Sequence, residues 1–410
     1  MSNRNGVWSL SAHLQAIGDT NWLMPPGVPT SVSATAGNTQ ATVTFTAPTF
    51  AGVPGTITGF KVTSSEGETA TGSSSPITVT GLTNGTAHTF TVQAQNSTGF
   101  SGASSASSSV TPAVPQRAFF MGGTISVSPD FSDEIDVFTI TSTGNASDWG
   151  NLTSRQDFGS GCANTTRGIH FVGRSNGTTV NSIDYFSVTS SGNASDFGDD
   201  NVTVYDEGSC SNDTRGLVAG GFSESDRISY ITIASTGNAQ DFGDMTFSRA
   251  AFNGGSANST RGIFGGGFNS GAAHLYNLNI IDYVTIGTLG NATDFGDLTQ
   301  GRNGVSSCSN DTRGLFFAGN NTNIIDYITI ASTGDATDFG DLPSSSWSGG
   351  ASAAGATRAL HGATTNNAGN VAYVTIASTG NAVDFGDLQL TGGTSFKRSA
   401  AACSNAHGGL

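Results

Sequence analysis

"STGNAQDFGD", residues 235–244, contains Asp-Phe-Gly, a triplet that some phosphotransferases use to hold magnesium. Here the stretch recurs. It is "STGNASDWGN" at 142–151, "SSGNASDFGD" at 190–199, "TLGNATDFGD" at 288–297, "STGDATDFGD" at 332–341 and "STGNAVDFGD" at 378–387. Chemistry needs such an aspartate once, so a triplet present six times is scaffold. Its aspartates, Asp148, Asp196, Asp241, Asp294, Asp338 and Asp384, are about 47 residues apart on average, a period found in stacked or radial repeat folds.

Each copy belongs to a unit of four short strands. The unit around residue 262 reads "STRGIFGGG", "NIIDYVTIGT", "DFGDLT" and a polar stretch ending "SSCSN". The "RGIFGGG" and "IDYVTI" strands are apolar at nearly every position, as in sheets covered on both faces. The repeat opens at "PQRAFFMGG", already on the glycine-doublet strand, and closes at "SAAACSNAHGGL", which supplies the strand missing from the first unit. These complementary ends predict a ring of six blades sealed by the C-terminal strand. The competing architecture is an intertwined trimeric β-fibre, which does not need them.

The units resemble the kelch repeat: a strand ending in a glycine doublet, a following strand with Tyr, then an aromatic where kelch has Trp. The doublet is clear at Gly122-Gly123, Gly220-Gly221 and Gly265-Gly266, and the aromatic is Trp149 in the first unit and Phe in the others. The twelve residues from Tyr to Phe are more than kelch uses, so the resemblance implies a kelch-like propeller over residues 114–410.

Residues 26–113 resemble a fibronectin type III domain. "VPTSVSATAGNTQATVTFTAP" (28–48) gives two alternating strands, and further strands read from "ITGFKVTSS", "SPITVTGL", "GTAHTFTVQAQNSTG" and "SSASSSVTP". Phe45 stands where that family has Trp, and His88 where it has the corner Tyr, so His88 is read as structural. The fold class expected is all-β: this sandwich followed by the six-bladed propeller. Residues 1–25 form a separate segment, with a short helix predicted up to Ile17. Trp8, Leu14, Ile17 and Trp22 give it an apolar side, which either packs on the next domain or anchors the chain in a larger assembly.

Composition narrows the function classes. Of 410 residues, 57 are Gly and only 11% are charged, which suits short strands and tight turns. A net charge of −15 repels phosphate backbones and anionic lipids, so neither nucleic acid nor membrane is expected as a partner. The first residues lack the apolar core of a secretory signal.

Cys162, Cys210, Cys308 and Cys403 share one repeat slot, filled by Ser256 and Ala353 elsewhere. A slot that accepts Cys, Ser or Ala is small and buried, so free thiols and no metal or cofactor are expected. Arg117, Arg167, Arg215, Arg261, Arg313 and Arg358 share another slot, and their number matches the six aspartates of the triplet. An ion pair between the two is expected, against the alternative of an arginine ring for an anionic sugar. His170, His274 and His361 read as isolated. Paired catalytic carboxylates are not visible outside the repeat slots, so no enzyme is expected.

Irregularities then mark the candidate site. The connection between second and third strands is short in units two, three, five and six. It is long in unit one ("TISVSPDFSDE") and unit four ("GFNSGAAHLYNLN"). Asp130, Phe131 and Asp133 from the first loop, with His274, Tyr276 and Asn277 from the other, would form two walls of a cleft, unless the loops are slack insertions. The whole layout resembles structural proteins of marine bacteriophages, including cyanophages. That resemblance implies a virion appendage (tail fibre, neck or capsid surface), made in the host cytoplasm, held by other virion proteins through the N-terminal segment and displaying the propeller to a host-surface glycan or protein. The alternatives are a purely structural connector and, less in keeping with the carboxylates, a carbohydrate-active enzyme.

Overall fold

The computed structural model describes residues 23–53, 55–126, 130–171, 173–222, 225–250, 254–270, 277–345, 350–364, 369–390 and 396–409. The anchor residues Trp8, Leu14, Ile17 and Trp22, the helix expected near them, and His274 and Tyr276 lie outside these. The described residues are all-β, without a helix. The chain divides into two compact units, Met1–Pro115 and Gln116–Leu410.

The first unit is a sandwich. Thr30–Gly37, Gln40–Thr46 and Ile77–Thr80 form one sheet, and Thr69–Gly72, Gly59–Ser64, Phe90–Asn96 and Gly99–Phe100 the other. Alternation buries Ala41, Val43 and Phe45 from one sheet against Phe60, Val62, Phe90 and Val92 from the other. Phe45 meets Phe60 at 4.8 Å, and His88 is wholly buried beside Phe90, both of its ring nitrogens without a partner. The expected strand at "SSASSSVTP" takes another form. Ser101, Ser104 and Ser107 donate their backbone N–H to the carbonyls of Ala94, Val92 and Phe90, and their hydroxyls accept from the N–H of the same three residues. Three serine hydroxyls replace main-chain acceptors, so the run pairs at every third residue instead of every second.

Among the described residues the second unit holds six antiparallel sheets of four or more strands, the second to the sixth in sequential strand order, and a two-stranded pairing of Lys397–Arg398 with Thr124–Ile125. The second sheet is Ser160–Ala163, Arg167–Phe171, Ser182–Ser187 and Ser195–Asp199; the third begins at Glu207–Ser211, the fourth at Gly254–Ala257, the fifth at Ser306–Ser309 and the sixth at Ala351–Ala354. In the first sheet that innermost place is taken by Ala401–Ser404, paired antiparallel with Arg117–Met121 as the sequence predicts (Ala401 opposite Met121). The innermost strand of each sheet lies beside that of the next, and Ala401–Ser404 lies beside both Ser160–Ala163 and Ala351–Ala354.

The repeated motif makes the junctions. In all six copies the amide of the first glycine (Gly237 in 235–244) donates to the carbonyl of the triplet aromatic in the preceding sheet, at 2.7–3.0 Å; Gly144 of the first sheet donates to Phe385 of the sixth. The triplet glycine is required by close approach: a Cβ on Gly243 would stand 2.5 Å from the Gly290 carbonyl oxygen, and one on Gly386 2.3 Å from that of Gly144. Its aromatic is buried while its aspartate faces solvent in every copy.

That exposure corrects the expected Arg–Asp pairing. Each slot arginine instead lies over an aromatic ring of its own sheet, at 4.7–4.8 Å, and donates from Nη1 to a carbonyl of the following sheet. Arg117 reaches Val188, Arg167 Ile233, Arg215 Ile286, Arg261 Ile330 and Arg313 Ile376, while Arg358 of the sixth sheet reaches Ile140 of the first. Half-buried beside an aromatic face, the guanidinium gains both cation–π attraction and a charge-assisted bond. In the first sheet Val137 occupies the Tyr position, and Trp149 supplies the ring instead.

Buried charges link the same junctions deeper in. The aspartate of "IDY" is paired with a group from the preceding unit: Arg249 with Asp282 and Arg302 with Asp326, both 2.5 Å and fully buried, and Lys397 with Asp136 at 2.9 Å. Gln156 plays this part for Asp184 at 3.2 Å.

The cysteine slot faces the glycine after the slot arginine one sheet on: Cβ atoms on Gly216 and Gly262 would stand 2.8 and 2.9 Å from the sulfurs of Cys162 and Cys210. All four cysteines are buried and unpaired, and burial pushes the Cys162 thiol up to about 12. Thiol titration without reductant is expected to count four groups after denaturation and few in the native protein; disulfides found by mass spectrometry would contradict this.

Candidate functional site

The innermost strands of the second unit surround a cavity of about 120 Å³, to which all six sheets contribute. Its wall is made of small residues such as Gly161, Ser209, Gly255, Ser307 and Ala402. Where these strands end, residues 406–409 cross the cavity. His407 Nε2 lies 2.8 Å from the Ala163 carbonyl and 3.2 Å from Ser211 Oγ, and the Gly408 amide donates to Ser309. A Cβ on Gly409 would overlap the Ser211 carbonyl, so glycine alone passes there.

Where the strands begin, the repeat is broken by acids and aromatics. Asp157 ends the long fourth strand of the first sheet, Asp206 precedes and Glu207 opens the third sheet, and Arg174 lies on a hairpin that joins the edge of the first sheet. Arg174 binds Asp157 with both arms, Nε to Oδ1 at 3.0 Å and Nη2 to Oδ2 at 2.7 Å. Its guanidinium lies over Phe158 at 4.4 Å and Tyr205 at 5.5 Å, and Tyr205 stacks on Phe222 at 4.6 Å. Arg227 bridges Asp200 (2.8 Å) and Glu207.

Asp206 stands apart. It is 6% exposed, lines the cavity, and its Oδ1 has no hydrogen-bond partner; its φ of +61° is a feature of the repeat, shared by Phe158, Gly304 and Ser399, each four residues before the cysteine slot. Burial holds its carboxyl well above the usual range, against the opposing pull of Arg174; burial likewise pushes Glu207 up to about 8, opposed by Arg227. Burial, a shifted carboxyl and an unmatched acceptor at one residue are what functional sites concentrate.

The residues expected from sequence fall elsewhere. Asp130 is exposed with φ +64°, Phe131 is half-buried and approaches the turn at Gly177, and Asp133 is half-buried on the strand that follows. Asn277 packs its carbonyl near Gly301 of the fourth unit, and among the described residues no contact joins it to the first loop. The connection in unit two is not short: Arg174–Ser175 and Thr178–Thr179 form a hairpin that extends the first sheet through Gln156 and Asp157. Its signal was the Asn176-Gly177 turn, both residues at positive φ. Asp206 and Glu207 were missed because they lie between repeat slots, in "YDEGSC", where the other units carry no acid pair. Among the described residues no cluster of three His, Cys, Asp or Glu is placed to hold a metal.

His170 and His361, read from sequence as isolated, share a repeat position: each is third after its slot arginine, and each ring abuts a glycine, Gly159 or Gly350. His361 stacks on Phe317 at 5.3 Å, with Nδ1 3.0 Å from both Ser306 Oγ and Ser352 Oγ and Nε2 unpartnered. Burial pushes it down to about 4, and His170 to about 3. The unfolded chain therefore takes up protons below about pH 6.5 that the native state refuses until near pH 4, so stability falls with pH across that window. For His361 the loss is about 3 kcal/mol by pH 4. Replacing His361 by Leu should therefore cost stability at pH 7 and progressively less toward pH 4, measured as the difference in Tm from wild type. A constant difference would show a neutral packing role alone.

Residues 27–111 match the family model described as the fibronectin type III domain, which accounts for the sandwich. No curated protein matches the chain. Among solved structures, the crystal structure of domains A168–A170 from titin aligns over 22% of this chain and 32% of that one, at 24% identity and a TM-score of 0.20.

Proposed function

We propose that residues 116–410 form a six-bladed, kelch-like propeller and that the chain is a non-enzymatic virion appendage which displays it for host-surface recognition. The propeller reading rests on the junctions: six equivalent arginine bonds run from sheet to sheet, and Arg358 carries the series back to the first. In this reading the fibronectin type III domain is a spacer, and the segment before it joins other virion proteins. Four unpaired thiols are in keeping with synthesis in a reducing cytoplasm.

The observation that carries recognition, rather than scaffold alone, is the acid–aromatic cluster at the cavity mouth. Six near-identical units need no such departure to pack, and a position freed from the repeat is where binding function accumulates. The test has two parts. Antibodies to the chain should label the particle, and the soluble chain should slow adsorption to host cells. Labelling with unaltered adsorption would favour the connector, which binds other virion proteins only.

A further inference from the structure

We infer that the cavity mouth at the second and third sheets binds one uncharged sugar residue, its hydroxyls meeting Asp206 and its apolar face lying on Phe222. This rests on the recognition reading above and adds the ligand class.

The charges exclude the other classes. Four acids, Asp157, Asp200, Asp206 and Glu207, face two arginines. Arg174 is neutralised by Asp157 and Arg227 by Asp200 and Glu207, so the acids outnumber the cations and an anionic ligand would meet net repulsion, although Arg227 Nε has no partner. Asp206 retains a bare oxygen in a wall that also offers Ser160 Oγ and Ser307 Oγ, both buried without partners. Such a set accepts and donates, which suits a polyol whose hydroxyls do both. A buried acceptor left bare is costly, so filling it favours the ligand.

The aromatic side fits the same ligand. Tyr205 is covered by Phe222 on one side and Arg174 on another, whereas Phe222 is 54% exposed and presents its outer surface. An exposed ring held rigid by stacking, next to a polar pocket, is a platform for a flat apolar face. The cavity behind it is too small to take a ring fully, so the sugar sits at the mouth.

The probes are methyl glycosides of glucose, galactose, mannose and N-acetylglucosamine, with glucuronic acid and glucosamine as charged controls, titrated against the full chain by saturation-transfer NMR. At least one neutral glycoside should bind at millimolar concentration. Phe222→Ala should weaken it about tenfold, as for loss of one aromatic contact. Asp206→Asn, which keeps a residue suited to positive φ, should weaken it at least as much, with an unchanged Tm excluding misfolding. Phe50→Ala, exposed in the first unit, should change nothing.

No binding by any neutral glycoside, or equal binding by both site variants, would overturn the site. A preference for glucosamine lost in Asp206→Asn would make it a cation site, and a preference for glucuronic acid would contradict the charge argument. The two readings separate. If Phe222→Ala still blocks adsorption, recognition stands without this sugar site; if sugar binds but adsorption is untouched, the site stands without host recognition.

Discussion

Ending the chain after Phe396 is expected to cost the second unit about 5 kcal/mol or more, the size of losing a buried element together with a buried charge partner. The truncation removes Ala401–Ser404, the innermost strand of the first sheet, and exposes the edge of Arg117–Met121, whose Phe119, Phe120 and Met121 are wholly buried. It also removes Lys397, leaving Asp136 buried without its cation. Thermal unfolding should show a large fall in Tm. A truncated protein that melts with the full one would sink the pairing of the two ends. Lys397→Met alone should reproduce the charge part of the loss with the strand still present.

Arg249→Met is expected to destabilise by about 3–5 kcal/mol, because it strands Asp282 in a site with no exposure. Replacing both partners, Arg249→Met with Asp282→Leu, should recover most of that, since an apolar pair of similar volume escapes the desolvation penalty. Denaturant unfolding of the single and double variants measures the difference. Equal losses in both would mean that the site is held by the remaining bonds, those of Arg249 to the carbonyls of Gly266 and Ile280 and those that Thr246 donates to Asp282.

These buried pairs leave a trace in the sequence, one missed by the expectations drawn from it. Gln156, Arg249 and Arg302 each follow their triplet aspartate by eight residues, and the next unit in each case carries the "IDY" aspartate. Where that position is Val204, the next unit has Ser229 in place of the aspartate. Lys397 breaks the spacing, which hides the rule. Repeat period, strand count and the strand shared between both ends were also readable, because they follow from apolar patterning and recurrence.

The arginines were misassigned for a physical reason: equal numbers of Arg and Asp suggest pairing, but a carbonyl and an aromatic ring carry no signature in a sequence. Tyr185, Tyr230, Tyr283, Tyr327 and Tyr373 are the rings, and the Val137 and Trp149 exchange in the first unit was the visible trace. The cavity-mouth cluster was illegible because Asp157, Arg174 and Asp206 come from three separate stretches that meet only when neighbouring sheets pack. Loop length pointed to unit one, and Phe131 does approach the hairpin that carries Arg174, but the acids that matter lie on short connections.

The central claim is that the sixth sheet joins the first as each other sheet joins its neighbour. Amide hydrogen exchange tests it directly. Gly192, Gly237, Gly290, Gly334 and Gly380 donate across the junctions between sheets adjacent in sequence, and Gly144 donates across 241 residues to Phe385. The account predicts that the Gly144 amide is protected to the same degree as the other five. A Gly144 amide that exchanges like an open loop while the others stay protected would contradict it.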